Sequence, residues 1–398
     1  MRLSVAANYD TGLIPQLARY PVKEIYGKYP ADVVGGGRPS YMARPLSRQA
    51  LNNYVQTLKE HGIEFNYLFN SSCLGNREWS KGWQKKTDRL LDELSGMGVP
   101  WLTVSNPYLL ELIRKRHPHF KIKVGIYAQV DTAERARFWE GLGADCITLE
   151  SFSINRAFER LLDIRRAVSC DLQLIVNHCC LPNCAIQPYH QNQFAHASDG
   201  SRGLCLDYCF FTCTLLRLQN PHLFIQAGWI RPEDLKTYED LGFSSFKLME
   251  RNIPSENLLQ RVRVYSERSF QGNLAELLLS HAFPKPPPGP RVWNWRFFFR
   301  PLDLNPRRLL PLMKLARRQG MLFPRETFPI HIDASKIPSD FLGHIQEQGC
   351  GERGCQGCGY CRKVAEEAVN IDSAFQDETV SGLRAVKDSM ISGSLWNV

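Results

Sequence analysis

Short apolar, β-branched runs alternate with stretches of helical hydrophobic spacing through the first two-thirds of the chain, as expected of βα units around a parallel sheet. The runs predict strands at LSVAANY from Leu3, near Glu24 to Tyr26, at EFNYLFN from Glu64, WLTVSN from Trp101 and KVGIYAQ from Lys123. CITLES from Cys146, LQLIVNH from Leu172 and SFKLME from Ser245 complete the set. Between them, SRQALNNYVQTLKEHG reads as a helix, with Ser47 as its N-cap and Gly62 at its end. Eight such units predict an α/β fold of the (β/α)8 TIM-like barrel type. The rival, a doubly wound open sheet, would place a GxGxxG turn after a strand, and none is present.

In a barrel, the C-terminal ends of the strands face the active site. Those ends are polar here: Asn8, Tyr9 and Asp10, Asn66 and Asn70, Ser105 and Asn106, Gln129, Glu150, Asn177 and His178, Glu250 and Arg251. Each alone suits a turn; their recurrence predicts a polar pocket. After the seventh strand the pattern breaks, and roughly seventy residues precede the eighth, a length usually reserved for functional loops. HAFPKPPPGP then reads as a linker. The expected organisation is a barrel domain over 1–283, carrying a cysteine-rich insertion over 178–230, followed by a small iron–sulfur domain over 284–398.

Composition narrows the chemistry. Of 398 residues, 43% are hydrophobic and 22% charged, enough to bury a large core. The chain starts without a secretory pattern and has no long apolar span, so the sequence predicts a cytoplasmic protein without membrane insertion. Its net charge of +9 suits an anionic organic substrate or RNA. The densest basic stretch, over 291–320, interleaves Arg with aromatic residues, a pattern that fits stacking on a planar group or a solvated helix face.

Thirteen cysteines without a secretory signal argue for soft-metal ligation rather than disulfides. Ten follow position 170, in two short windows. Cys146, within an apolar run, reads as a buried structural thiol. The first window holds Cys179, Cys180, Cys184, Cys205, Cys209 and Cys213. Its spacing lacks the third cysteine of a radical-SAM motif and the C-x2-C knuckles of a zinc ribbon. Two C-x3-C pairs, Cys180 with Cys184 and Cys209 with Cys213, suit the four thiolates of a [4Fe-4S] cluster, with Cys205 and Cys209 as a rival second pair. His190 and His196, with Asn177 and His178, flank these cysteines as candidate acids, bases or substrate donors.

The second window spaces Cys350, Cys355, Cys358 and Cys361 like a ferredoxin run, with interspersed glycines, so a second [4Fe-4S] cluster is expected there; zinc is the alternative. The following KVAEEAVNI reads as a helix covering that site.

LIVNHCCLPNC and SRGLCLDYC, with WIRPEDLKTYEDLGFSSFKLMERN and RVRVYSERSFQGNL, resemble the collagenase-like peptidase family U-32 over about residues 1 to 280. That family includes oxygen-independent hydroxylases of ubiquinone precursors and of RNA bases. The resemblance implies a (β/α)8 barrel, a [4Fe-4S] cluster beside the pocket and hydroxyl transfer without O2, with prephenate implicated as oxygen donor. This chain departs from the pattern: its first cysteine pair is closer than the family's six-residue spacing, Cys213 has no counterpart, and the second window is extra. No G-x-S-x-G or H-E-x-x-H motif supports peptidase chemistry. The expected activity is therefore an iron–sulfur hydroxylase or related modifying enzyme. The alternatives are an electron-transfer or scaffold subunit with two clusters and a redox partner protein, and an RNA- or peptide-modifying enzyme.

Overall fold

A computed structural model describes residues 1–37, 45–199, 207–249, 253–279, 307, 328–350, 355 and 357–396. The linker over 281–290, the basic aromatic stretch apart from Arg307, and Cys205, Glu250 and Arg251 lie outside the described residues.

All eight predicted strands form. They are β1 (Arg2–Ala6), β2 (Val22–Gly27), β3 (Glu64–Phe69), β4 (Trp101–Val104), β5 (Lys121–Val124), β6 (Cys146–Thr148), β7 (Asp171–Ile175) and β8 (Ser245–Lys247). Each pairs in parallel with the next, and β8 returns to β1 with Leu3 opposite Phe246, closing a barrel. The (β/α)8 architecture is thereby established.

The helices between strands are α1 (Ile14–Leu17), α2 (Arg48–Glu60), α3 (Lys81–Gly96), α4 (Pro107–Arg116), α5 (Ala133–Gly141) and α6 (Phe158–Ala167). After β7 come α7 (Gln187–Ala197), α8 (Tyr208–Gln219), α9 (His222–Gln226) and α10 (Leu235–Asp240), and α11 (Ser255–Glu267) follows β8. Ser47 caps α2 by accepting from Ala50 N at 3.1 Å, and Gly62 beyond its end takes φ +68°, the left-handed conformation a helix stop favours.

Strand five differs from its expected extent. It covers Lys121–Val124, and Ile126–Ala128 turns into a 3-10 helix. Gly125 gives the chain room at this turn: a Cβ there would lie 2.9 Å from Ser105 Oγ and Thr103 Cγ2, so any larger residue would displace the side chains at the end of β4.

Side chains alternate between the two faces of each strand. The outward set (Val5, Ile25, Phe65, Leu102, Ile122, Ile147, Leu174 and Phe246) is buried and apolar, under the helices. The inward set is largely polar, with a small apolar cluster of Ala6, Tyr26 and Leu68, unlike the branched aliphatic filling usual in this fold. Ser4 donates to Glu24, Lys123 Nζ meets Glu24 Oε2 at 2.6 Å, and Thr103 donates to Asn66 at 2.9 Å. Thr148 donates to Gln173 at 3.0 Å, Gln173 donates to Ser245 at 3.0 Å, and Lys247 lies 4.0 Å from the centre of the Tyr26 ring. Every partner sits on a neighbouring or facing strand, so the bonds cross-brace the barrel.

The loop after β2 is fastened to the insertion through backbone. Gly36 N donates to Ala195 O of α7 at 3.2 Å, and Ser198 Oγ donates to Gly36 O at 2.6 Å. Gly36 has φ +85°, and a Cβ would stand 2.6 Å from Ser71 N, so glycine is required there on both counts.

The C-terminal elements are β9 (Ile330–Ile332), α12 (Ala275–Leu278) preceding it, α13 (Phe341–Glu347), α14 (Tyr360–Ala368), β10 (Val369–Ile371) and α15 (Ser373–Ile391). The expected helix over KVAEEAVNI stops at Ala368: Val369–Ile371 pairs antiparallel with β9, where its Val and Ile suit a pleated surface. Asn273 fastens β9 to the end of the barrel, donating to Ile330 O at 2.9 Å and accepting from Ile332 N at 2.8 Å. Ile330, Ile332, Phe341, Ile345, Val364 and Phe375 belong to the same buried cluster as the barrel's outer face. Helix α14 packs on α9, and α15 on α8.

Candidate functional site

The first cysteine window begins where β7 ends. Asn177 spends its amide on backbone: Nδ2 donates to Met249 O at 3.1 Å and Leu277 O at 3.0 Å, and Oδ1 accepts from Met249 N at 2.6 Å. His178 is equally occupied, with Nε2 2.9 Å from Ser151 O and Nδ1 accepting from Cys180 N at 3.3 Å. Burial pushes its imidazole down to about 4, so it stays neutral at pH 7. These two residues shape the loop that presents Cys180.

Helix α8 supplies the second pair. Cys209, Cys213 and Arg217 recur every four residues, which stacks them on one face. Cys209 Sγ lies 3.8 Å from Ile186 O, in the loop that carries Cys184. Burial raises all four thiols, and they raise one another: Cys180 feels Cys213 and Cys184, and Cys209 feels Cys213 and Cys184. Cys209 is pushed up to about 12. The backbone N–H groups of Ile186 and Gln187 favour the Cys184 thiolate against its burial.

Arg217 is buried beneath these sulfurs. It donates to Cys179 O and, at 3.5 Å, to Cys213 Sγ, while its Nε has no partner. Among the described residues no carboxylate forms a salt bridge with it. A buried guanidinium without a carboxylate needs another anion.

Among the described residues, no three or more His, Cys, Asp or Glu side chains are gathered for a single metal ion. A lone zinc requires thiolates converging at about 2.3 Å from one point. A cubane takes four thiolates at its corners and carries net negative charge. The thiols of Cys180, Cys184 and Cys213, which share the field of Arg217, and the backbone N–H groups at Cys184 are the chemistry of the second donor set.

The second window has the same composition. Cys361 is pushed up to about 11 by burial, opposed by Arg156 and reinforced by Cys355, Cys350 and Cys358. Cys355 and Cys358 are exposed, and Gly357 and Gly359 turn the chain between them and α14 with φ of +79° and +68°. Arg156, buried, donates to Ile225 O at 2.7 Å and Trp229 O at 3.3 Å. It too has no carboxylate salt bridge among the described residues.

Inside the barrel Asn66 Nδ2, and toward its mouth Asn70 Oδ1, Ser105 Oγ, Ser151 Oγ, Gln187 Nε2 and Gln191 Nε2, are buried without hydrogen-bond partners. Gln129 reaches Gln187 at 3.4 Å and Gln191 at 3.3 Å, which brings the first turns of α7 over the barrel opening. The remaining expected site residues are elsewhere engaged. Glu150 accepts from the backbone N–H groups of Phe152 and Ser153 at 2.8 and 2.9 Å, His190 pairs with Asp207 at 2.9 Å, and His196 lies 3.3 Å from Asp199. Asn8 donates to Ser255, which donates to Asp10.

Arg156, Arg217, Gln187 and Gln191 were not singled out from sequence. Arg217 was within reach of the helical period that links it to Cys209 and Cys213. Arg156 carried no local signal, because its partners come from distant segments.

Together these features define a (β/α)8 barrel with a cysteine-bearing insertion at its C-terminal mouth. Residues 24–271 match the model of peptidase family U32, and the chain belongs to that family. It is 33% identical over 255 residues to the uncharacterized protease MJ1657 of Methanocaldococcus jannaschii, a match spanning 64% of this chain and 75% of that protein. Among solved structures, the U32 peptidase Mk0906 matches with 23% identity and a TM-score of 0.48, over 63% of this chain and 93% of that one.

Proposed function

We propose that this chain is an iron–sulfur enzyme in which Cys180, Cys184, Cys209 and Cys213 hold a [4Fe-4S] cluster at the barrel mouth, and which modifies an organic substrate by oxygen-independent hydroxylation. What supports the reading is Arg217, a buried guanidinium with no carboxylate salt bridge among the described residues, which acts on Cys180, Cys184 and Cys213, with Cys209 one helical turn before Cys213. Cys350, Cys355, Cys358 and Cys361, beside Arg156, would hold a second cluster. A bound cluster supplies one-electron chemistry and, where an iron site is open, a Lewis acid.

The protein's own residues do the rest. Arg217 balances the negative charge of the thiolates, and His178 fixes the backbone at Cys180 while remaining neutral. Asn66, Ser105, Gln187 and Gln191 offer unpaired hydrogen-bonding atoms to a polar substrate entering the barrel, and their burial excludes water from the contact.

Purification without oxygen, followed by iron and sulfide analysis, tests the cofactor: about eight irons per chain support two clusters, and stoichiometric zinc without iron overturns the reading. Incubating the loaded protein under nitrogen with candidate acceptors and a hydroxylated oxygen donor tests the reaction by mass, since the product should gain one oxygen atom. A product shortened at a peptide bond would instead favour a peptidase. Efficient electron exchange with a reductase, with no substrate perturbing the reduced-cluster EPR spectrum, would favour an electron-transfer subunit.

A further inference from the structure

We propose that α15 is a strap: it seats the cysteine-bearing helix α8, and its far end lifts without unfolding the barrel, so that it governs access to Cys209 and Cys213. The inference goes beyond the functional reading and holds whatever those cysteines bind. Helix α8 has two faces to satisfy. Cys209, Cys213 and Arg217 recur every fourth residue on one, and Phe211, Leu215 and Leu218 follow at helical spacing on another. A helix with so much apolar surface is stable only when covered, and α15 packs on it as the cover. Leu383, Val386 and Leu395 are buried with Phe211, and Phe210, Leu215 and Met390 pack around them. Gln376 Nε2 donates to Leu218 O at 2.5 Å, and Lys387 Nζ lies 5.0 Å from the centre of the Tyr208 ring.

The two ends of α15 are held differently. Its first turn is tied to the main core: Asp372 N donates to Pro329 O at 3.0 Å, the Asp372 carboxylate accepts from Phe375 N at 2.6 Å, and Phe375 is buried in the cluster that includes the barrel's outer face. Its far half, from Leu383, belongs to the small apolar cluster with α8, which is separate from that core. Between the two, one turn from both Phe375 and Leu383, the Thr379 hydroxyl is buried without a hydrogen-bond partner. A buried hydroxyl left unpaired weakens the packing that contains it. A small cluster with a weak point at its root opens more readily than the main core. Such an opening uncovers the apolar face of α8 and frees the helix to expose Cys209, which is 1% exposed when the strap is closed.

The test is native-state hydrogen exchange of the full chain, read by peptide mass over α8 and over the barrel strand β4. Leu383→Asn should speed exchange in α8 about tenfold or more while β4 keeps its native rate, and Leu383→Met should restore the native rate in α8. Thr379→Val removes the unpaired hydroxyl at nearly constant shape, so exchange in α8 should slow by about fivefold. A part that merely contributes to one cooperative fold would move α8 and β4 together, and that result overturns the inference. Should Leu383→Asn be insoluble, Thr379→Val decides alone: slower exchange confined to α8 supports the strap, and exchange in α8 at the native rate overturns it.

Discussion

Lys123 on β5 reaches across the inside of the barrel to Glu24 on β2, with Nζ 2.6 Å from Oε2 and both side chains almost wholly buried. Burial would raise the Glu24 carboxyl, but Lys123, Ser4 and Lys247 overcome it and hold it below its ordinary value. Lys123→Met strands a buried carboxylate and should cost about 3–5 kcal/mol, read as a fall in the urea midpoint; Glu24→Gln in the same chain should recover much of it. A carboxyl depressed on folding contributes stability above its unfolded pKa and loses it as pH falls through the folded value. The native chain should therefore weaken as pH drops below the ordinary Glu range near 4.5, and the double variant should weaken less.

The two cysteine groups should separate in a metal analysis. Cys180→Ala with Cys184→Ala should remove about half the iron and abolish turnover. Cys355→Ala with Cys358→Ala should remove the other half and leave substrate binding intact. Loss of substrate binding in the second variant, with the barrel still folded by circular dichroism, would reverse the assignment of roles.

Arg217→Met should leave the barrel thiols without their counter-charge. The expected outcome is loss of the first cluster during purification with the second retained, and partial retention in Arg217→Lys. Equal iron in Arg217→Met and native protein would show that the guanidinium only packs.

Thiol reactivity should follow burial. Cys146 is buried and its thiol is pushed up to about 11, first by burial and then by nearby carboxylates, against the opposing charge of Lys123; Cys355 and Cys358 are exposed. In metal-free native protein at pH 8, iodoacetamide should label Cys355 and Cys358 and spare Cys146. Prompt labelling of Cys146, detected by peptide mass mapping, would mean that the barrel wall opens on the time scale of the reaction.

The barrel was legible because each parallel strand is a short, turn-bounded run and because no dinucleotide fingerprint competed with it. The placing of Cys209 and Cys213 on one helix face was legible from their C-x3-C spacing, which is one helical turn. The hydrogen bonds of Asn177 and His178 were not, because a polar residue at a strand end looks the same whatever it meets, and these two meet backbone at Met249 and Ser151. The VNI strand was missed because its pairing partner, Ile330–Ile332, lies far upstream and only tertiary contact selects strand over helix.

The glycine fastening between the loop after β2 and α7 has an evolutionary consequence. Hydrogen bonds from Gly36 N to Ala195 O and from Ser198 to Gly36 O engage backbone atoms of the loop and helix, so most side chains of α7 can change without loosening that contact. Cys180 and Cys184 lie in the connection between β7 and this anchored helix. Their separation can therefore change in this connection while both of its ends stay in place.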